Sequence, residues 1–248
     1  MLMGRTILIF GFHPLSRAWA EDQPGDVEIW VANEANLCFS GPVARIFQLH
    51  PRDWREKERR WMFGRLPKAL NRQCFGRNRA HVDWLRGCGV PVYSQRVWPD
   101  IPTCVRYPFE AVTDAVGIPM PPSGAKKLYA TNSFGYMMAL ALLEHLEGHM
   151  IDEIRFAGVE LTSGSLRERI WEMPNLAYYM GLAQGWGIRL AFAPTGTTLL
   201  NAPPYALGYP NFASPDFWGQ ADRPLSFQLD ENTGFYEVIV APFARLYP

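Results

Sequence analysis

Apolar residues along the chain fall into short blocks that alternate between two patterns. Thr6 to Phe10, Val27 to Val31 and Ala44 to Leu49 are brief runs rich in β-branched and aromatic side chains, each followed by a turn or a polar residue. They read as strands. Asn78 to Arg86 carries helical spacing, as does Arg52 to Trp61, and Val90 to Tyr93 and Cys104 to Tyr107 read as further short strands. After Tyr129 the alternation resumes. It gives a helix from Ser133 to Leu146, a strand from Glu153 to Ala157, a helix from Leu176 to Gln184 stopped by Gly187, and a strand from Ile188 to Phe192. Strands alternating with helices predict an α/β, Rossmann-like and mainly parallel sheet with helices on both faces.

Two intervals interrupt that order. Residues 52–125 hold Pro99, Pro102, Pro108, Pro119, Pro121 and Pro122, and read as a loop-rich, basic cap inserted into the domain. Residues 201–248 hold an aromatic and proline-rich loop, then two β-prone runs around Asp230 to Gly234, a C-terminal β-hairpin. With 248 residues the whole is expected to form a single α/β domain with a substantial core.

Two segments suggest where chemistry lies. Thr131-Asn132-Ser133 offers an N-cap to the helix that follows, and the first turn of a helix presents amides suited to a phosphate. Gly158-Val159-Glu160 puts an acid at the carboxyl end of its strand, the edge where open α/β sheets bind ligands. Together they point to a nucleotide-type pocket among Gly11, Asn33, Asn132, Ser133 and Glu160.

Composition narrows the class further. Hydrophobic residues make up 48%, charged residues 19%, and the formal net charge is zero, as in a globular domain. Cys38, Cys74, Cys88 and Cys104 form no C-x-x-C pair, which disfavours a zinc site or disulfide framework and favours a reducing compartment. No clustered ligands call for a structural metal. No apolar run approaches the ~20 residues of a membrane span. A cytoplasmic protein without membrane contact is the expectation.

The neutral total conceals an asymmetry. Between Arg45 and Arg86 stand 12 of the 24 Lys and Arg residues, against four acids, with Trp54, Trp61, Phe63, Phe75 and Trp84 among them. Cations neutralise phosphates and rings stack on bases, so Arg55, Arg59, Arg60 and Arg65 are candidate contacts to nucleic acid. The competing reading is a solvated helix whose Glu56 and Glu58 pair with neighbouring arginines.

The chain has no P-loop, no G-x-S-x-G, no H-E-x-x-H and no kinase signature, and only Gly11 in the first strand–helix turn. What it does have is a Gly-bearing turn after the first strand, Asn33 after the second, a Thr-Asn-Ser helix start, a Gly-Val-Glu strand end and Ala193-Pro-Thr-Gly-Thr-Thr-Leu-Leu200. This set resembles glycosyltransferase family 42, the bacterial sialyltransferases. It also looks like small tailed-phage proteins related to them and, more distantly, the DUF115 (pterin pyrophosphokinase-like) proteins. The resemblance covers residues 5–50 and 128–200, about half of the chain.

Carried over by position, Gly11, Pro14 and Leu15 match the family's first turn and His13 falls beside them. Asn33 matches its nucleotide-contacting Asn and Ser133 the Ser of its helix start. Glu160, after Gly158, stands where the family has Asp, and Thr195 and Thr198 lie in the loop expected near the base or its phosphate. The resemblance implies a nucleotide-sugar donor and glycosyl transfer. In a phage setting the acceptor would be modified DNA, held by the basic segment. The family's general-base His has no counterpart, because Leu161 to Asn175 contains no His. A hydroxyl acceptor still needs a base. His50 is the first candidate, with Asp53 as its orienting or alternative carboxylate, and Glu160 is the second. His81, His145 and His149 read as structural. A diphosphate transferase and a non-catalytic nucleotide or sugar-nucleotide binder are the alternatives.

Overall fold

The computed structural model describes residues 4–52, 75–159, 161, 172–194, 225–230 and 235–240. Strands β1 (Arg5–Phe10), β2 (Glu28–Ala32) and β3 (Arg45–Gln48) form where the first three apolar runs lie, and all three pair in parallel. A one-turn helix, α1 (Pro14–Arg17), follows β1. Helix α2 (Arg79–Gly87) is capped by Asn78, whose side chain accepts the amide of His81 at 3.2 Å. Next come β4 (Val92–Ser94), β5 (Cys104–Arg106), α3 (Phe109–Val116), and the two-residue strands β6 (Ile118–Pro119) and β7 (Lys126–Lys127). Helix α4 (Ser133–Leu146), β8 (Ile151–Ala157), α5 (Met173–Gly185) and β9 (Arg189–Phe192) complete the layered part.

The main sheet has seven strands in the order β5-β4-β3-β2-β1-β8-β9, with every pairing parallel. It is a Rossmann-like α/β arrangement. The chain works outward from β1 to one edge, then returns to the other side of β1 as β8, so the topological switch point lies between β1 and β8. Side chains alternate across the sheet. Ile7, Ile9, Trp30 and Phe47 join the core with α4 and α5. Leu8, Phe10, Ile29 and Ile46 join the core with α2. Burial on both faces explains why these strands are continuously apolar.

Helix α4 is apolar almost all round, with Met137 to Leu143 buried, because α3 and α5 cover the flanks that the sheet does not. At the amino edge of the sheet, Arg5 pairs with Glu28 at 2.6 Å and with Glu144 at 2.9 Å. Glu144 also binds Arg45, whose guanidinium lies over the Trp30 ring. Glu144 sits near the carboxyl end of α4, so this network fastens the end of that helix to β1 and β3.

The proline-rich interval differs from its reading as a cap. Both β4 and β5 are strands of the main sheet, and α3 is a regular helix. Pro108 stands just before α3, a place where proline costs a helix nothing. Val112 and Val116 then recur at helical spacing on its buried face. The short strands expected at Val90–Tyr93 and Cys104–Tyr107 are present, and it is helix α3 that proline density concealed.

Two compact units divide the chain, residues 1–199 and 200–248. Within the second, β10 (Leu225–Asp230) and β11 (Phe235–Val240) pair antiparallel as the expected hairpin. Among the described residues no helix is long and apolar enough to cross a membrane.

The switch point admits no side chain. A Cβ on Gly158, whose φ is +67°, would lie 2.2 Å from the Gly11 carbonyl oxygen, and one on Gly11 would lie 2.4 Å from that of Gly158. Gly158→Ala should therefore cost more than about 2 kcal/mol of unfolding free energy in urea denaturation. Gly181→Ala, on an open face of α5, should instead stabilise by about 0.5–1 kcal/mol.

Candidate functional site

The carboxyl edge of the sheet gathers most of the described candidate residues. At the exit of β1 the amide of Gly11 donates to the Ala157 carbonyl at 2.9 Å, and that of His13 to the Gly158 carbonyl at 2.8 Å. The Gly158 amide in turn donates to Ser16 Oγ at 3.0 Å. These bonds weld the exits of β1 and β8 together. His13 carries an unsatisfied group there, because its Nδ1 is buried without a hydrogen-bond partner among the described residues.

One strand over, Asn33 follows β2 with φ +51°, a left-handed conformation uncommon outside glycine. Its side chain meets Ser133 at the first turn of α4. Asn33 Nδ2 donates to Ser133 Oγ at 3.1 Å, and Oγ lies 3.3 Å from Asn33 Oδ1. Residues a hundred positions apart thus touch at the edge of the sheet, between the end of a strand and the start of a helix.

The turn before α4 is held from behind. Asn132 Oδ1 accepts the Gly135 amide at 2.8 Å, and its Nδ2 donates to the Glu172 carbonyl at 3.0 Å. Asn132 therefore serves as the helix cap, its side chain already engaged on both atoms. Asn175, fully buried at the start of α5, accepts the Thr131 amide and donates to the Tyr129 carbonyl. Gly135 packs against it, and a Cβ there would lie 2.1 Å from Asn175 Oδ1. Sequence reading passed over Asn175, whose only signal is an amide beside Pro174 at a helix start.

Two further features escaped the sequence. Glu34, next to Asn33, is half-buried with no cation against it among the described residues, and burial holds its carboxyl above the ordinary carboxylate range. A cavity of about 360 Å³ opens beyond β3, β4 and β5, lined by Leu49, Gln95, Arg106, Tyr107, Phe109 and Tyr136. Each of these residues lies at or just past the end of a strand or in the first turn of a helix, so no local pattern links them.

His50 follows Leu49 at the exit of β3, half-buried beside that cavity wall. Asp53, Glu160, Thr195, Thr198, Arg55, Arg59, Arg60 and Arg65 lie outside the described residues. Of the basic segment, three arginines are described with acidic partners. Arg45 binds Glu144, Arg52 grips Asp100 with both terminal nitrogens at 2.5 and 2.6 Å, and Arg86 binds Asp83 and Asp100. The two guanidiniums hold the Asp100 carboxyl well below its usual range. Each of these three arginines is thus already engaged by a carboxylate. Among the described residues no three His, Cys, Asp or Glu side chains converge as a metal site.

Comparison with known proteins finds no matching family model, no matching curated protein and no matching solved structure. The fold and the edge geometry define an α/β protein with a Rossmann-like sheet, and that is the class shown.

His81 lies on the opposite face, fully buried. Its Nδ1 stands 2.7 Å from Asn36 Oδ1 and its Nε2 2.9 Å from Gln48 Oε1. Burial pushes its pKa down from 6.5 to about 4, so the ring is neutral and bears one N–H. One of the two amides then turns its NH₂ to the bare nitrogen, which also relieves an otherwise unpartnered Asn36 Nδ2 or Gln48 Nε2. Because the folded pKa lies below the unfolded one, the unfolded chain binds the extra proton. Stability is complete above about pH 6.5 and declines as the pH falls toward 4. Unfolding free energy should drop by about 2 kcal/mol between pH 7.5 and pH 5, and His81→Gln should flatten that dependence.

Proposed function

We propose that the protein binds a nucleotide-sugar at the carboxyl edge of its sheet and transfers the glycosyl group. The observation that carries this is the Asn33–Ser133 contact. It joins the two positions at which the sequence resembles the nucleotide contacts of family 42 glycosyltransferases. The amides that open α4 suit a phosphate, since the first turn of a helix leaves its N–H groups unpaired and concentrates positive potential. Gly11 and Gly158 keep the neighbouring strand exits free of side chains.

Transfer requires a base for the acceptor hydroxyl. His50 and Glu34 are the described groups at this edge with suitable chemistry, and a carboxyl raised by burial is a stronger base than an exposed one. Asp53 and Glu160 remain candidates from sequence. A second reading, sugar-nucleotide binding without turnover, is favoured by the absence of His between Leu161 and Asn175. Donor hydrolysis in the presence and absence of divalent metal separates these readings, and a metal requirement would favour the diphosphate transferase.

A panel of nucleoside phosphates and sugar-nucleotides should include one that raises the melting temperature. Ser133→Ala and Asn33→Gly, which keeps the left-handed backbone, should each weaken that ligand about two- to tenfold through a lost hydrogen bond. Unchanged affinity in both places the ligand elsewhere.

DNA as acceptor rests on Arg55, Arg59, Arg60 and Arg65. Binding to duplex DNA should then fall steeply with salt, each neutralised phosphate adding about −0.9 to the slope of log K on log salt. Changing Arg55, Arg59 and Arg60 together to Ala should flatten that slope without altering donor affinity. A flat salt dependence in the unaltered protein excludes DNA.

A further inference from the structure

The cavity beyond β3, β4 and β5 is walled by side chains held in place by the fold. The Tyr107 hydroxyl donates to the Tyr136 carbonyl at 2.8 Å, and the two rings meet edge to face with centroids 5.1 Å apart. Both rings are thereby fixed. The Tyr136 hydroxyl itself has no hydrogen-bond partner among the described residues. Gln95 is anchored to the wall by its Nε2, which donates to the Leu49 carbonyl at 2.5 Å. Phe109 has 44% of its surface exposed, although it opens a helix that buries Val112 and Val116. Arg106, the one cation among the described lining residues, is bound to Glu110 at 2.6 Å.

We propose that this cavity receives a single uncharged sugar ring. Three features select that chemistry. Fixed aromatic rings beside an exposed Phe offer faces and edges to the C–H surface of a pyranose. A rigidly held amide and an unsatisfied phenol offer hydrogen bonds to ring hydroxyls. Arg106 is paired with Glu110, so the rim carries no net charge that would favour an acidic sugar over a neutral one. At about 360 Å³ the space is at the small end of the roughly 300–1,000 Å³ typical of ligand sites, with room for one sugar ring.

The position suits a donor sugar. Tyr136 lies one turn beyond Ser133 on α4, so the cavity adjoins the Asn33–Ser133 contact, and Leu49 brings it beside His50. In assigning the sugar as the donor group the proposal rests on the nucleotide-sugar reading. The occupancy of the cavity does not depend on that reading and is tested separately.

Saturation-transfer NMR on the full chain provides the test. The probes are the methyl glycosides of glucose, galactose, mannose and N-acetylglucosamine, the acidic probes glucuronic acid and N-acetylneuraminic acid, and the monophosphates of adenosine, guanosine, cytidine and uridine. At least one neutral glycoside should receive saturation on its ring protons, and the acidic sugars should receive little. Phe109→Ala and Tyr136→Phe should each weaken that sugar about two- to tenfold while leaving nucleotide signals unchanged. Glu110→Gln, at an exposed position, should release Arg106 and bring the acidic sugars in. Acidic sugars that bind the unaltered protein as well as neutral ones overturn the selection for an uncharged ring. Absence of transfer to every sugar, or transfer that survives both ring variants, overturns the cavity as the site. Sugar binding with no nucleotide binding leaves the cavity intact and counts against the nucleotide reading, whereas the reverse pattern counts against the cavity alone.

Discussion

The backbones of Gly11 and Gly158 approach so closely that neither residue has room for a β-carbon. The rest of the edge is arranged around that contact. It sets the exits of the two central strands against each other, and three hydrogen bonds between the turns, one through the Ser16 hydroxyl, keep them there. In many open α/β sheets the crevice at the switch point is where ligand sits. Here backbone from both turns meets at that point, and the described cavity lies farther along, beyond β3, β4 and β5. Asn33 and Ser133 stand between the two regions.

The two edges of the sheet differ in how their polar groups are satisfied. At the amino edge Arg5, Glu28, Arg45 and Glu144 form a half-buried network in which each charge has a partner. At the carboxyl edge His13 Nδ1 is buried with no partner among the described residues, and among those residues neither the Tyr136 hydroxyl has a hydrogen-bond partner nor half-buried Glu34 a cation. A buried polar atom left unpaired costs about 1–3 kcal/mol, and for His13 Nδ1 a ligand at this edge could supply the missing partner.

Buried amides do the corresponding work inside. Asn132 and Asn175 fix the turn that starts α4, which is why Ser133 faces Asn33 rather than solvent. On the other face Asn36 and Gln48 hold His81. In both places a side chain from one segment satisfies backbone or ring atoms of a segment distant in sequence, so register and placement are specified together. Asp100 does the same on the surface by drawing Arg52 and Arg86 to one carboxylate.

The strand–helix alternation was legible in the sequence because strands buried on both faces are continuously apolar, and because Asn78, Asn132 and Gly187 mark helix ends by local chemistry. That signal was enough to give the parallel sheet, helix α4 to its end residues, the hairpin, and the placing of Asn33 and Ser133 at strand and helix ends. Helix α3 and the membership of β4 and β5 in the sheet were hidden, since proline signals a boundary without saying what it bounds. The Asn33–Ser133 contact and the cavity walls were decided by tertiary structure. Leu49, Gln95, Tyr107 and Tyr136 come from four separate segments, and only the parallel stacking of strand ends brings them to one place. Likewise the count of basic residues between Arg45 and Arg86 was fixed by sequence, but which of them are neutralised depended on where the fold set Asp100 and Glu144. Local propensity acts over a few residues, whereas a site at a sheet edge is made by strand order, and strand order follows from the packing of the whole domain.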